Sequence, residues 1–260
     1  MVKFSPFKQN EDECNLFHEF CEASGLALEK DWVHSDLSYV AYQKAIGNFS
    51  REMPSFDTET LENLSISKLW MTRTFYPVMA DSSVISLPAA FDELDLSTSP
   101  GPILRACCQT KRQAISLLTT SFFNAHWDKL SRPGSPATYW GGNLKDELRP
   151  AAKVAEHKTR LFLISPVDHA VALQRLSWDM NQKLIQSAKK MTSPSAVGTE
   201  FFSRYFEKLY AISQDYQETE FCDISKFDSS LFAQLLLDVG ELRSSCLSPE
   251  QQTPENEQRF

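Results

Sequence analysis

Apolar residues recur at helical spacing along most of this chain, and short extended runs interrupt them at two places. Between residues 11 and 23, Cys14, Leu16, Phe17, Phe20 and Cys21 fall on one broad side of a 3.6-residue period, which predicts a helix. A second helix is expected from Asp36 to about Ile46. A third is expected from Thr58 to Phe75, capped by Asp57 or Thr58 and ending before Pro77. Residues 81–103, rich in Ser and Pro, predict irregular chain. A long helix should follow from Lys111 to Leu130, then a Pro/Gly/Ser loop at 131–137. Tyr139 to Arg149 and Arg160 to Ser165 read as extended. Pro166, suited to a first helical turn, opens a helix from Asp168 to Lys190, and another should run from Glu200 to Ser213. A short strand at Thr219–Ile224 and a helix at Leu231–Ser244 close the ordered part. The polar, Pro-containing stretch from Leu247 onward is expected to fray. No internal repeat interrupts this order.

The stripe Phe201, Phe202, Tyr205, Phe206, Leu209 and Tyr210 has helical spacing and reads as a core face rather than a base-stacking platform. Only 8 of the 260 residues are Gly, which disfavours a fold of many tight turns. The expected fold class is α+β with helix predominating. Apolar content of 42% and charged content of 23% are those of a globular chain with a real core. No run of eighteen apolar residues occurs, and the N-terminus lacks an apolar leader segment, so neither a membrane span nor secretion is expected. Cys14, Cys21, Cys107, Cys108, Cys222 and Cys246 form no C-x-x-C pair and read as reduced, mostly buried thiols of a cytosolic protein.

Charge changes the picture more than composition does. The net charge of −8 argues against a protein that coats nucleic acid. Yet residues 99–160 hold ten Lys or Arg against four Asp or Glu, a local +6 that leaves −14 for the remainder. One basic surface or channel in an acidic body fits this asymmetry, and so does a merely solvated face.

The basic residues concentrate in one strip. Lys145, Arg149, Lys153, Lys158 and Arg160 lie at offsets of 0, 4, 8, 13 and 15. Pro150 disfavours a single helix through them. In a hairpin-like finger, Lys158 and Arg160 would point to one side of a strand. Such groups suit a triphosphate, because Arg grips phosphate oxygens bidentately and Lys adds a point charge. Some sixty residues later comes Cys222-Asp223-Ile224-Ser225-Lys226-Phe227-Asp228-Ser229-Ser230. With a strand ending near Asp223 and a turn after it, Asp223 and Asp228 can face one cavity and hold a hard cation such as Mg²⁺. Taken alone, the same pair fits an Asp at a strand end and an Asp capping the next helix.

Together, these segments resemble the RNA-dependent RNA polymerases of positive-strand RNA viruses, within the picornavirus-like group. Lys145-Asp-Glu-Leu-Arg149, Lys153-Val154 and Lys158-Thr159-Arg160 are similar to that family's motif F in residue type and spacing. Asp223-x-x-x-x-Asp228 resembles motif A, and Thr98-Ser99-Pro100-Gly101 resembles motif G; Val197-Gly198 also has a counterpart. The resemblance spans residues 98–231.

It implies that Asp223 coordinates catalytic Mg²⁺ (or Mn²⁺) together with the Ile224 carbonyl, and that Asp228 senses the ribose hydroxyl of the incoming nucleotide. Lys153, Lys158 and Arg160 would hold the triphosphate, and Lys145 and Arg149 would line the same tunnel. Ser99 and Gly101 would touch the template. The reaction implied is attack of a primer 3′-hydroxyl on an α-phosphate with loss of pyrophosphate. The implied partners are an RNA template and primer, nucleoside triphosphates and the remainder of the polymerase, in a replication complex in the host cytoplasm. Residues 1–215 would then be fingers, 216–246 the start of the palm and 247–260 a polar tail. The cations of 145–160 should overhang the carboxylate of Asp223.

The chain departs from the family pattern in holding no Gly-Asp-Asp. Asp81 could supply the missing carboxylate only in a permuted order. The chain therefore reads as the fingers and first palm elements of a polymerase, or as one half of a divided enzyme, and is expected to be inactive alone. The rival readings are a non-catalytic RNA- or nucleotide-binding subunit and a helical interaction protein.

Overall fold

The computed structural model describes residues 19–20, 23–25, 32–50, 55–134, 138–199, 206–216, 218 and 231–260. In chain order these form β1 (Trp32–His34), α1 (Tyr39–Gly47), α2 (Thr58–Met79), α3 (Leu87–Asp92), α4 (Lys111–Leu117) and α5 (Thr120–Leu130). Then come β2 (Gly141–Leu144), β3 (Leu148–Pro150), α6 (Ala151–Ala155), β4 (Leu161–Ile164) and α7 (Val167–Lys190). The last are α8 (Phe206–Ser213), α9 (Ala233–Ser245) and α10 (Pro254–Arg259). β1 pairs with β3 and β2 with β4. This is the helix-rich α+β fold expected. The chain divides into two compact units, Met1–Ile46 with Leu144–Phe162 and Gly47–Asn143 with Leu163–Phe260.

The first unit joins two distant segments. β1 and β3 are antiparallel, with Trp32 opposite Pro150, Val33 opposite Arg149 and His34 opposite Leu148. α1 starts at Tyr39 rather than Asp36, because the Asp36 carboxylate takes the Ser38 N–H (2.8 Å) and hydroxyl (2.9 Å). Ser38 Oγ then accepts from Ala41 N–H at 3.3 Å and serves as the N-cap. Ala41 and Ala45 are buried. The cationic strip is no simple hairpin finger, since α6 intervenes between its strands.

The second unit is organised on α7, whose buried residues Val167, Val171, Leu176 and Met180 recur about every four positions. α2, α3 and α5 pack on it. Val167 and Val171 join a core cluster with Leu87, Ala90, Cys108, Ala114 and Phe123. Further along α7, Met180 joins a second with Met79, Leu242, Cys246 and Leu247.

Several expectations need correction here. α2 continues past Pro77 to Met79, because burial of Met79 in the second cluster outweighs the one backbone bond that Pro removes. Residues 81–103 hold α3, capped by the Ser86 side chain, with Leu87 and Ala90 buried. The long helix at 111–130 is broken: Leu118 is extended (ψ 144°) and Thr119 restarts the chain as the N-cap of α5. The polar tail is ordered. Ser82 bridges Leu247, the Thr253 side chain caps α10, and Arg259 lies 4.4 Å from the Trp127 ring centroid. Its polar residues are caps and anchors rather than marks of fraying. Cys107 is exposed while Cys108 and Cys246 are buried. Leu209 and Tyr210 of the aromatic stripe are exposed, so those two are not core. The strand expected at 219–224 lies outside the described residues, as do most of the helix at 11–23 and the start of that at 200–213.

Candidate functional site

Three of the five cations of residues 145–160 are brought together by one carboxylate. Lys145 N–H donates to the Arg160 carbonyl at 2.8 Å, which closes the strip end to end. Glu147 then lies 3.0 Å from Lys145 Nζ, 3.4 Å from Arg160 Nη1 and 3.9 Å from Arg149 Nη1. One anion among three cations lowers their mutual repulsion and keeps their heads near one another, while excess positive charge remains. Over 145–160 that excess is +2, from five cations against Asp146, Glu147 and Glu156.

Local chain geometry sets which heads face outward. Pro150 ends β3 and precedes the single turn of α6, where Lys153 is exposed. The Lys153 carbonyl accepts from Lys158 N–H at 2.9 Å, so the chain turns back at 156–157. His157 there has φ +54°. Beyond it Thr159 is buried, and Lys158 and Arg160 are exposed on either side of it. The two were expected on a strand, but they lie outside one, in the turn that precedes β4. Side-chain exposure separates the five: Arg160 is 63% exposed, Lys158 56% and Lys145 47%, against 18% for Arg149. Three heads are thus open to solvent, while Arg149 is largely covered.

Two further ties hold this turn. Lys158 pairs with Glu156, whose carboxyl its hydrogen bond and charge hold below the usual range. Asp36 pairs with His157, and hydrogen bonds from His157 and then Ser38 hold the Asp36 carboxyl below its ordinary value. The contribution of Asp36 is thus complete above about pH 4 and is lost as pH falls through the lowered value.

In the second unit, the Pro100 carbonyl accepts from Val167 N–H at 3.0 Å. Gly101, buried and at φ +100°, passes so close to Pro166 that a Cβ would lie 2.6 Å from its Cα. Packing alone therefore requires glycine there. Ser99 is half-buried, its hydroxyl accepting from Gly101 N–H at 3.4 Å. Gly198, at φ +75°, likewise abuts Ile185. Asp81 is at φ +56°, and its carbonyl accepts from Lys183 Nζ at 2.7 Å.

Asp223, Ile224 and Asp228 lie outside the described residues. Among the described residues no group of three or more His, Cys, Asp or Glu could hold a metal ion. Reasoning from sequence missed Glu147, Asp36, His157 and Thr159. The last three act across more than a hundred residues, and no local pattern marks that contact.

The family model described as viral RNA-dependent RNA polymerase matches residues 16–259. The genome polyprotein of Soybean mosaic virus (strain N) is 37% identical over 105 residues, covering 40% of this chain and 3% of the polyprotein. Genome polyprotein 1 of Barley yellow mosaic virus (strain Japanese II-1) is 27% identical over 208 residues, covering 77% of this chain and 8% of the polyprotein. Among solved structures, Sicinivirus 3Dpol RNA dependent RNA polymerase matches with a TM-score of 0.70 at 18% identity, over 89% of this chain and 51% of that one. This chain thus spans less than a tenth of those polyproteins and about half of that polymerase. With the family model covering nearly its whole length, the chain belongs to the viral RNA-dependent RNA polymerase family.

Proposed function

We propose that this chain supplies the nucleotide-gripping part of an RNA-directed RNA polymerase, which copies a viral RNA template from nucleoside triphosphates. The observation that carries this reading is the gathering of Lys145, Arg149 and Arg160 around Glu147, with Lys158 exposed two residues before Arg160 and paired with Glu156. Arg160, Lys158 and Lys145 would take the phosphate oxygens; Arg149 would act mainly by holding Glu147. Lys153 would add charge from α6. Ser99 and Gly101 would shape the template path, Gly101 chiefly by holding its loop against Pro166.

The oxygen donors Asp223 and the Ile224 carbonyl suit Mg²⁺ or Mn²⁺, which when bound would stabilise charge on the transferring phosphoryl group. Asp228 would select the ribose. The remainder of the polymerase would complete the site, and the setting would be a replication complex in the host cytoplasm.

Titration of the 260-residue chain with a nucleoside triphosphate at increasing salt tests this. Affinity should fall steeply with salt, and Arg160→Ala should weaken it roughly ten- to hundredfold, the size of lost charge-assisted hydrogen bonds. Absent or salt-indifferent binding would overturn the proposal.

A further inference from the structure

The turn that presents Lys158 and Arg160 is gripped from behind by a residue of the N-terminal segment. His157 Nδ1 donates to Asp36 Oδ2. Thr159, 7% exposed, donates its hydroxyl to the Asp36 carbonyl at 2.7 Å. Asp36 thus holds both neighbours of Lys158, one through its carboxylate and one through its backbone. The grip is itself braced, since Ser38 N–H and hydroxyl donate to that same carboxylate at 2.8 and 2.9 Å. Just before the turn, Lys44 Nζ donates to the Glu156 carbonyl at 2.7 Å. The charged groups facing this corner are therefore Asp36, Lys44, Glu156 and Lys158.

At φ +54° His157 holds a left-handed conformation that costs any residue with a Cβ some strain, though less for Asn, Asp and His than for most, and that its surroundings must hold. Side-chain exposure of 46% for His157 and 20% for Asp36 means that the pair adds little to global stability. Its effect is geometric: it fixes the backbone on which the phosphate-facing side chains stand, so that less ordering is left for the ligand to impose.

We infer that Asp36 and His157 form a positioning pair for the proposed triphosphate site, locking the turn that aims Lys158 and Arg160. This rests on the nucleotide-binding reading above, but its structural half can be read without nucleotide. Four variants separate the possibilities: Asp36→Ala, His157→Gly, their combination, and His157→Asn. Glycine accepts φ > 0 freely but cannot reach Asp36, whereas Asn tolerates the same conformation and keeps an N–H donor.

Two readouts are taken on the full chain: backbone amide exchange at 157–160 without ligand, and affinity for inorganic tripolyphosphate. Asp36→Ala and His157→Gly should each speed exchange and weaken tripolyphosphate binding about two- to fivefold, the range of one partly exposed ion pair. The double variant should lose no more than either single one, and His157→Asn should return both readouts toward those of the unmodified chain. Unchanged exchange in both single variants, or losses that simply add in the double, would overturn the pair. Accelerated exchange in variants of a chain that never takes up tripolyphosphate would instead overturn the nucleotide reading, and the functional half of this inference with it.

Discussion

Gly101 shows how a single residue can look like a ligand contact and be required by packing. A Cβ there would meet the Cα of Pro166 at 2.6 Å, on backbone already at φ +100°. Gly101→Ala should destabilise the second unit by roughly 2 kcal/mol or more, measured as a shift in the urea midpoint, because strain and overlap act together. His169 gives a pH-dependent counterpart. Its Nδ1 is buried without a partner, its ring lies 5.3 Å from that of Trp140, and His126 and Asp168 are its charged neighbours. Burial first, then His126, pushes its pKa below the ordinary value, with Asp168 opposing. A lowered folded value means that its contribution is complete above about pH 6.5 and is lost as pH falls through that lowered value. Stability against thermal unfolding should therefore fall from pH 7 toward pH 5, and His169→Phe should flatten that slope. At this scale the run of basic residues is visible in the sequence, whereas the part Glu147 plays in gathering three of them is not. A carboxylate inside a cationic run shows its role only when the chain folds back and three heads meet on it.

Among the elements, helices with strong periodicity and clear caps were read almost to the residue. α7 begins at Val167 against an expected Asp168, and Asp57 caps α2 through Thr60 N–H as expected. The misreadings share a cause, which is that tertiary contacts override local rules. The clearest is α10, whose polar sequence suggested a loose end. Arg259 and Arg175 both stack on Trp127, at 4.4 and 3.8 Å from its centroid, and Arg259 Nε also donates to the Trp127 carbonyl at 3.2 Å. Trp127→Ala should detach α10, costing about 2 kcal/mol from two partly desolvated cation–π contacts. Faster amide exchange across 254–259 would show it. Unaltered exchange there would mean that Thr253 capping and the packing of Phe260 suffice.

For the molecule as a whole, the chain folds as one unit built from two separate segments and a larger one. Linear order hides this, because β1 finds its partner in β3 more than a hundred positions away. Deleting residues 1–37 should therefore expose 144–162 to proteolysis and abolish tripolyphosphate binding. The second unit, with its own two core clusters, should keep a cooperative thermal transition. Simultaneous loss of both would show that the larger unit depends on the smaller.

That same pairing has a consequence for biogenesis. On the ribosome, β1 emerges long before Leu148–Pro150, so its edge waits unpaired while the whole stretch between them is translated. With Trp32 and Val33 exposed even after folding, this waiting strand is a place where a nascent chain can aggregate or recruit a chaperone. Slower translation of codons 48–148 should lower the soluble yield more than the same slowing after codon 162.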